Sequence, residues 1–144
     1  MHNLIIIGNG FDLAHNLKTS YNHFIRYMVD LHCADKSNFS DLLDFNFVEN
    51  YDDLMRQMKE GSSESSIRFN NLFVKILLND IVLKDWCDIE QKYFEILINI
   101  SEGKDKTYTN PKQLNLDFDK LKNYLIKYLE IEGSSCITFL GKAL

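Results

Sequence analysis

Two short stretches of this 144-residue chain place glycines and polar side chains in an order that can do chemistry. The first is Gly8-Asn9-Gly10-Phe11-Asp12, set directly behind Leu4-Ile5-Ile6-Ile7. A phosphate needs backbone N–H groups aimed at it and no side chain in the way. A glycine turn that opens a helix supplies both. The match to the dinucleotide fingerprint is partial, because Leu13 stands where the third glycine would be. By itself the turn also serves as a plain strand-to-helix connection. Asp12 can accept a hydrogen bond from a ribose hydroxyl or cap the helix that follows. His15 lies one short helix further on, where an imidazole suits a general base or simply orders the turn. Asp12 and His15 are therefore the candidate catalytic residues.

The second stretch is Trp86-Cys87-Asp88-Ile89-Glu90. On one helix, carboxylates two residues apart point about 160° away from each other. Asp88 and Glu90 then cannot form a paired-carboxylate site within that helix: one faces a pocket and the other water, or both are capping and solvated groups. Trp86 reads as core. Cys87 has no evident basic partner, which argues against a thiolate nucleophile. His2, His23 and His32 show no ligand spacing, and Cys33 beside His32 is not a metal motif, so no metal is expected. Lys18 can steer a phosphate or stand in solvent.

These groups must be held by elements. Residues 3–8, with four consecutive apolar residues, read as a strand buried on both faces. A short helix follows from Phe11 to about His15, and Asn16 fits a left-handed stop. Thr19-Ser20 caps a helix whose stripe is Tyr21, Phe24, Ile25, Met28 and Leu31. A short helix is expected around 39–44, then a loop, then a helical stripe of Tyr51, Leu54, Met55 and Met58. Glu60 to Ser66 is a flexible polar linker. Ile67, Leu72, Phe73, Ile76 and Leu77 suggest a helix to about Asn79. Asp85 is expected to cap the next helix, with Asp88 in its first turn and Ile89, Tyr93, Ile96, Leu97 and Ile100 on its buried face. Asn110-Pro111 starts a last helix that runs to about Ile131 and stops at Gly133. A second short strand is expected near Cys136 to Leu140. The fold class is α/β, a Rossmann-like start with a mostly helical remainder. A single buried strand needs neighbours on both edges, so the sheet is incomplete within this chain.

Composition bounds the function. The hydrophobic fraction is 45%, and the net charge of -5 argues against a broad nucleic-acid surface. Three cysteines without paired spacing suit a reducing cytoplasm rather than a disulfide framework. No stretch approaches the ~20 apolar residues of a membrane span, so no membrane partner is expected.

Leu4 to His15, then Leu17, Thr19-Ser20-Tyr21 and Phe24, resemble the N-terminal signature of the AbiH family, bacterial proteins of bacteriophage abortive infection. Trp86-Cys87-Asp88-Ile89-Glu90 with Tyr93 is similar to that family's Trp-x-Asp-x-Glu block. Leu114-Asn115-Leu116-Asp117-Phe118, with Leu121, Leu125 and Tyr128-Leu129, is similar to its following helix. The resemblance covers about residues 3 to 130, and the tail from Gly133 does not resemble the family's continuation. Asn16 and Lys18 depart from the family's usual Gly and Pro. Family members are roughly twice as long and carry later Asn-Tyr-Thr and His-Gly motifs not found here, so one domain forming the N-terminal portion of a longer protein is expected. More distantly, the order of motifs is similar to sirtuin-like NAD-binding domains.

The resemblance implies an antiphage defence protein that holds NAD or another nucleotide. Gly8, Asn9, Gly10, Phe11 and Asp12, with Thr19, Ser20 and Tyr21, would line the site, and Trp86, Asp88 and Glu90 form the second motif. Any NAD hydrolysis would belong to a full-length form. The alternatives are a non-catalytic module that senses a nucleotide or a phage product, and an inactive truncated remnant. The expected partners are a small nucleotide and either a second copy of the chain or a phage-derived trigger.

Overall fold

The computed structural model describes residues 18–61, 67–85 and 87–142, with side chains described to residue 134. The expected first strand, glycine turn and short helix lie outside the described residues, as does Trp86. Among the described residues the protein is mostly helical, with one small antiparallel sheet.

Helix α1, Tyr21–Ala34, starts where expected. Ser20 is its N-cap, its side chain accepting from the His23 N–H at 3.3 Å. Its inner face is Phe24, Ile25, Met28, Val29 and His32, all buried. The expected helix at 39–44 does not form. The chain turns instead, with Phe39 at φ 55° between the rings of Tyr27 and Tyr124. It then enters strand β1, Leu43–Phe45. A bulky residue with positive φ carries a conformational cost that its surroundings must offset. The Phe39 carbonyl does part of this, accepting from the Leu42 and Leu43 N–H groups, both at 2.9 Å.

Helix α2, Tyr51–Glu60, is capped by Asn50 and ends on Gly61, whose φ of 66° is the left-handed geometry glycine reaches without strain. Strand β2, Ile67–Phe69, replaces the start of the helix expected there. It pairs with β1 in the register Leu43 with Phe69, Asp44 with Arg68 and Phe45 with Ile67. Local pattern could not announce either strand, because each exists through a partner more than twenty residues away.

Helix α3 is Leu72–Lys84, later at both ends than expected, and Asn71 caps it. It ends on Asp85 in the left-handed region, so Asp85 closes α3 rather than opening the next helix. Helix α4, Ile89–Ser101, is capped by Asp88, which accepts from the Gln91 N–H at 2.9 Å. Helix α5 spans Pro111–Lys142, with Asn110 accepting from the Lys112 N–H at 3.0 Å. It runs through Gly133 and replaces the strand expected at Cys136 to Leu140. A glycine in a helix costs only about 1 kcal/mol relative to alanine and does not by itself stop one. The Ser134 hydroxyl bonds back to the Glu130 carbonyl at 2.7 Å, which suits a continuing helix.

His32 ties α1 to the sheet. Its Nδ1 lies 2.6 Å from the Asn38 carbonyl, which can only accept. Its Nε2 lies 3.5 Å from the Phe45 N–H, which can only donate. The ring is thus fixed as the Nδ1–H tautomer and stands edge-on to Phe45. His32→Leu would keep the volume but strip both partners. Chemical denaturation should show a loss of about 2 kcal/mol. A loss under about 0.5 kcal/mol would mean that the ring only fills space.

Candidate functional site

The start of α1 packs against the connection between α3 and α4, and this brings two of the chemistry-bearing stretches together. Helix α1 presents Tyr21 immediately after its cap. Burial first, then the charges of Glu90 and Asp88, push the phenol's pKa up to about 12. Tyr21 therefore stays protonated as a donor throughout the physiological range. Asp88 and Glu90 take separate roles and form no paired-carboxylate site. Asp88 is an N-cap with extended backbone, φ -119° and ψ 110°. Its side chain caps α4 and lines a small cleft, whereas Glu90 is exposed in the first turn of that helix.

Asn22 spans the turn. Its Nδ2 donates to the Asp85 carbonyl at 3.0 Å, and its Oδ1 accepts from the Cys87 N–H at 3.2 Å. The Cys87 thiol also points at that oxygen, at 3.7 Å. Burial, then the charges of Asp80 and Asp88, push this thiol up to about 12. It remains a thiol and not a nucleophile.

A small cleft opens beside this turn, lined by Asp80, Lys84, Cys87, Asp88, Lys92 and Glu95. Its volume of about 60 Å³ has room for a few waters and not for a nucleotide. Lys92, its most sheltered cation, is committed to Asp80 at 2.8 Å and Glu95 at 2.7 Å. Among the described residues, no three metal-ligating side chains gather into a cluster.

The third stretch braces the other side of α4. Tyr93 donates to Asn115 at 2.7 Å and stacks on Phe118 at 4.4 Å. Asp117 is 3% exposed and accepts from the Tyr108 hydroxyl at 2.7 Å, Gln113 Nε2 at 3.0 Å and the Leu72 N–H at 3.3 Å. Its own carbonyl receives the Asn71 side chain at 2.9 Å. Tyr128 donates to the Lys18 carbonyl, holding the entry to α1 against α5.

Of the candidate residues, Ser20 caps α1 and Tyr21 begins it, and Asp88 caps α4 with Glu90 in its first turn. Gly8, Asn9, Gly10, Phe11, Asp12, His15 and Trp86 lie outside the described residues. Sequence reasoning missed Asn22, because an asparagine in the first turn of a helix has no motif. Its one signal was adjacency to Tyr21.

Among the described residues, no helix is long and apolar enough to cross a membrane. No curated protein and no solved structure matches this chain. The model of the family described as bacteriophage abortive infection AbiH matches residues 4–139. That match runs past Gly133 into the tail that the sequence reading had set apart. It covers the Thr-Ser-Tyr, Trp-Cys-Asp-Ile-Glu and Leu-Asn-Leu-Asp-Phe stretches, and the chain belongs to the AbiH family of bacteriophage abortive infection proteins.

Proposed function

We propose that this abortive-infection protein binds a nucleotide, NAD foremost, between its glycine turn and the cluster of Tyr21, Asp88 and Glu90. One observation carries the reading. The turn of α1 that carries Tyr21 is hydrogen-bonded through Asn22 to the connection that leads into Asp88 and Glu90, so stretches almost seventy residues apart lie on neighbouring segments. Carboxylates accept hydrogen bonds from ribose hydroxyls and favour a cationic ring nearby, so these residues fit the nicotinamide riboside end of NAD. The Gly8-Asn9-Gly10 turn would take the pyrophosphate on its backbone N–H groups.

In a full-length form, the proposed reaction is hydrolysis of the N-glycosidic bond. Water oxygen bonds to the ribose C1′, and the C1′–N bond breaks. Its electron pair leaves with nicotinamide, and the water proton passes to a base. His15 and Asp12 are the proposed bases.

Calorimetry with NAD and ADP-ribose, alongside chromatography for released nicotinamide, tests this. Wild-type binding should weaken at least tenfold in Gly10→Val, whose side chain fills the turn, and in Glu90→Gln. Affinities that both variants leave unchanged would sink the nucleotide reading. Binding without nicotinamide release would identify this chain as a sensing module.

A further inference from the structure

Helix α4 carries apolar side chains on two sides. Ile89 and Ile96 are buried beneath it, yet Phe94 and Ile98, one turn apart on the outer side, are 62% and 57% exposed. Gln91 and Ser101 are exposed as well and continue the same row toward the two ends of the helix. Two large apolar side chains on one row are a surface that a second helix can cover. The two ends of the row differ in charge. Glu90 is exposed in the first turn. Past the last turn, the Lys104 ammonium lies 2.7 Å from the Glu102 carboxylate and keeps most of its side chain in solvent.

This row is complementary to itself. A second α4, laid antiparallel and crossing at the level of Ile96, sets each Phe94 against the other's Ile98 and each Gln91 against the other's Ser101. The same register sets each Glu90 against the other's Glu102. The Lys104 ammonium held by Glu102 then stands between two carboxylates. Opposed helix dipoles favour this direction. A parallel pair would align the dipoles and set Glu90 against Glu90, so the charges select the antiparallel arrangement.

We propose that this face is an interface between two copies of the chain: α4 packs antiparallel on α4 through Phe94 and Ile98, and Lys104 of each copy reaches Glu90 of the other. Every contact then occurs twice about a two-fold axis, as a closed dimer requires. A helix of 13 residues gives a strip only about 20 Å long. That is too short for a permanent interface, so the dimer is reversible, and in dilute solution the chain is a monomer with Phe94 in water. The inference does not rest on the nucleotide reading.

Sedimentation equilibrium over a concentration series tests this. The wild-type chain should pass from monomer to dimer in the micromolar range or above. Phe94→Glu and Ile98→Glu change exposed positions, and circular dichroism checks that each variant folds. Each should weaken the dimer about tenfold or more. Lys104→Glu and Glu90→Lys test the register, because each alone places like charges at both ends of the strip. Each should therefore weaken its own dimer, whereas an equimolar mixture of the two should recover one, since opposite charges meet again at both ends. A wild-type chain that stays monomeric at the highest attainable concentration overturns the proposal. So does a dimer that Phe94→Glu and Ile98→Glu leave intact. A dimer that these two variants abolish, but that the mixture of charge variants does not restore, overturns the antiparallel pairing.

Discussion

Asp117→Ala should destabilise this protein by about 3–5 kcal/mol, which is most of the stability of a marginal domain. The carboxylate is buried at the junction of three segments: the start of α3 at Leu72, the loop at Tyr108 and the body of α5 at Gln113. Removing it strands the buried Tyr108 phenol and takes a partner from the Leu72 N–H and the Gln113 amide. The Tyr108 phenol shows the same environment from the other side, its pKa raised by burial first and then by the Asp117 hydrogen bond and charge. Asp117→Asn keeps the shape and one acceptor, so a smaller loss of about 1–2 kcal/mol is expected. Urea unfolding followed by circular dichroism measures both. An alanine variant within about 1 kcal/mol of wild type would mean that the network is not sealed from solvent. A cycle with Asn71→Ala should be strongly non-additive, because Asn71 caps α3 and also bonds the Asp117 carbonyl.

Phe73→Ala should cost about 3–5 kcal/mol as well, for a different reason. Phe73 is 0% exposed and meets Phe118 edge-on at 5.7 Å, and Phe118 in turn stacks on Tyr93. This row of rings joins α3, α5 and α4. Its loss opens a cavity that three helices cannot collapse without parting. Phe94→Ala is the matched control. Phe94 sits beside Tyr93 on α4 but is 62% exposed, so its truncation should change stability by less than about 0.5 kcal/mol. Equal losses at the two positions would place Phe94 in an interface that shields it in solution.

What could be read from the sequence follows from how local each signal was. Ser20, Asn110 and the stripe of α1 were legible, because a cap and a helical period are written within one or two turns. The strands were not, since Leu43 and Phe69 are defined by each other. Asp85 and Asp88 exchanged roles because both are good cap residues. What decides between them is that α3 extends to Lys84 and that Asn22 pins the turn beyond it. The same limit applied to the site. Residue types singled out Tyr21, Asp88 and Glu90 one by one, but the Asn22 bridge that joins their segments is a property of packing.

The long reach of these contacts governs when the site comes into being. Asn22 meets Asp85 across 63 residues, and Tyr128 meets Lys18 across 110. Contacts of such separation carry the largest closure entropy and form late in folding. On the ribosome, Tyr21 and Asn22 emerge long before the turn they grip, and α5 emerges last of the described elements. A nascent chain therefore carries α1 through more than sixty further residues before the backbone groups that Asn22 binds exist. The Asn22 bridge can close once the α3–α4 turn has emerged, whereas the Tyr128 bond to Lys18 waits for α5.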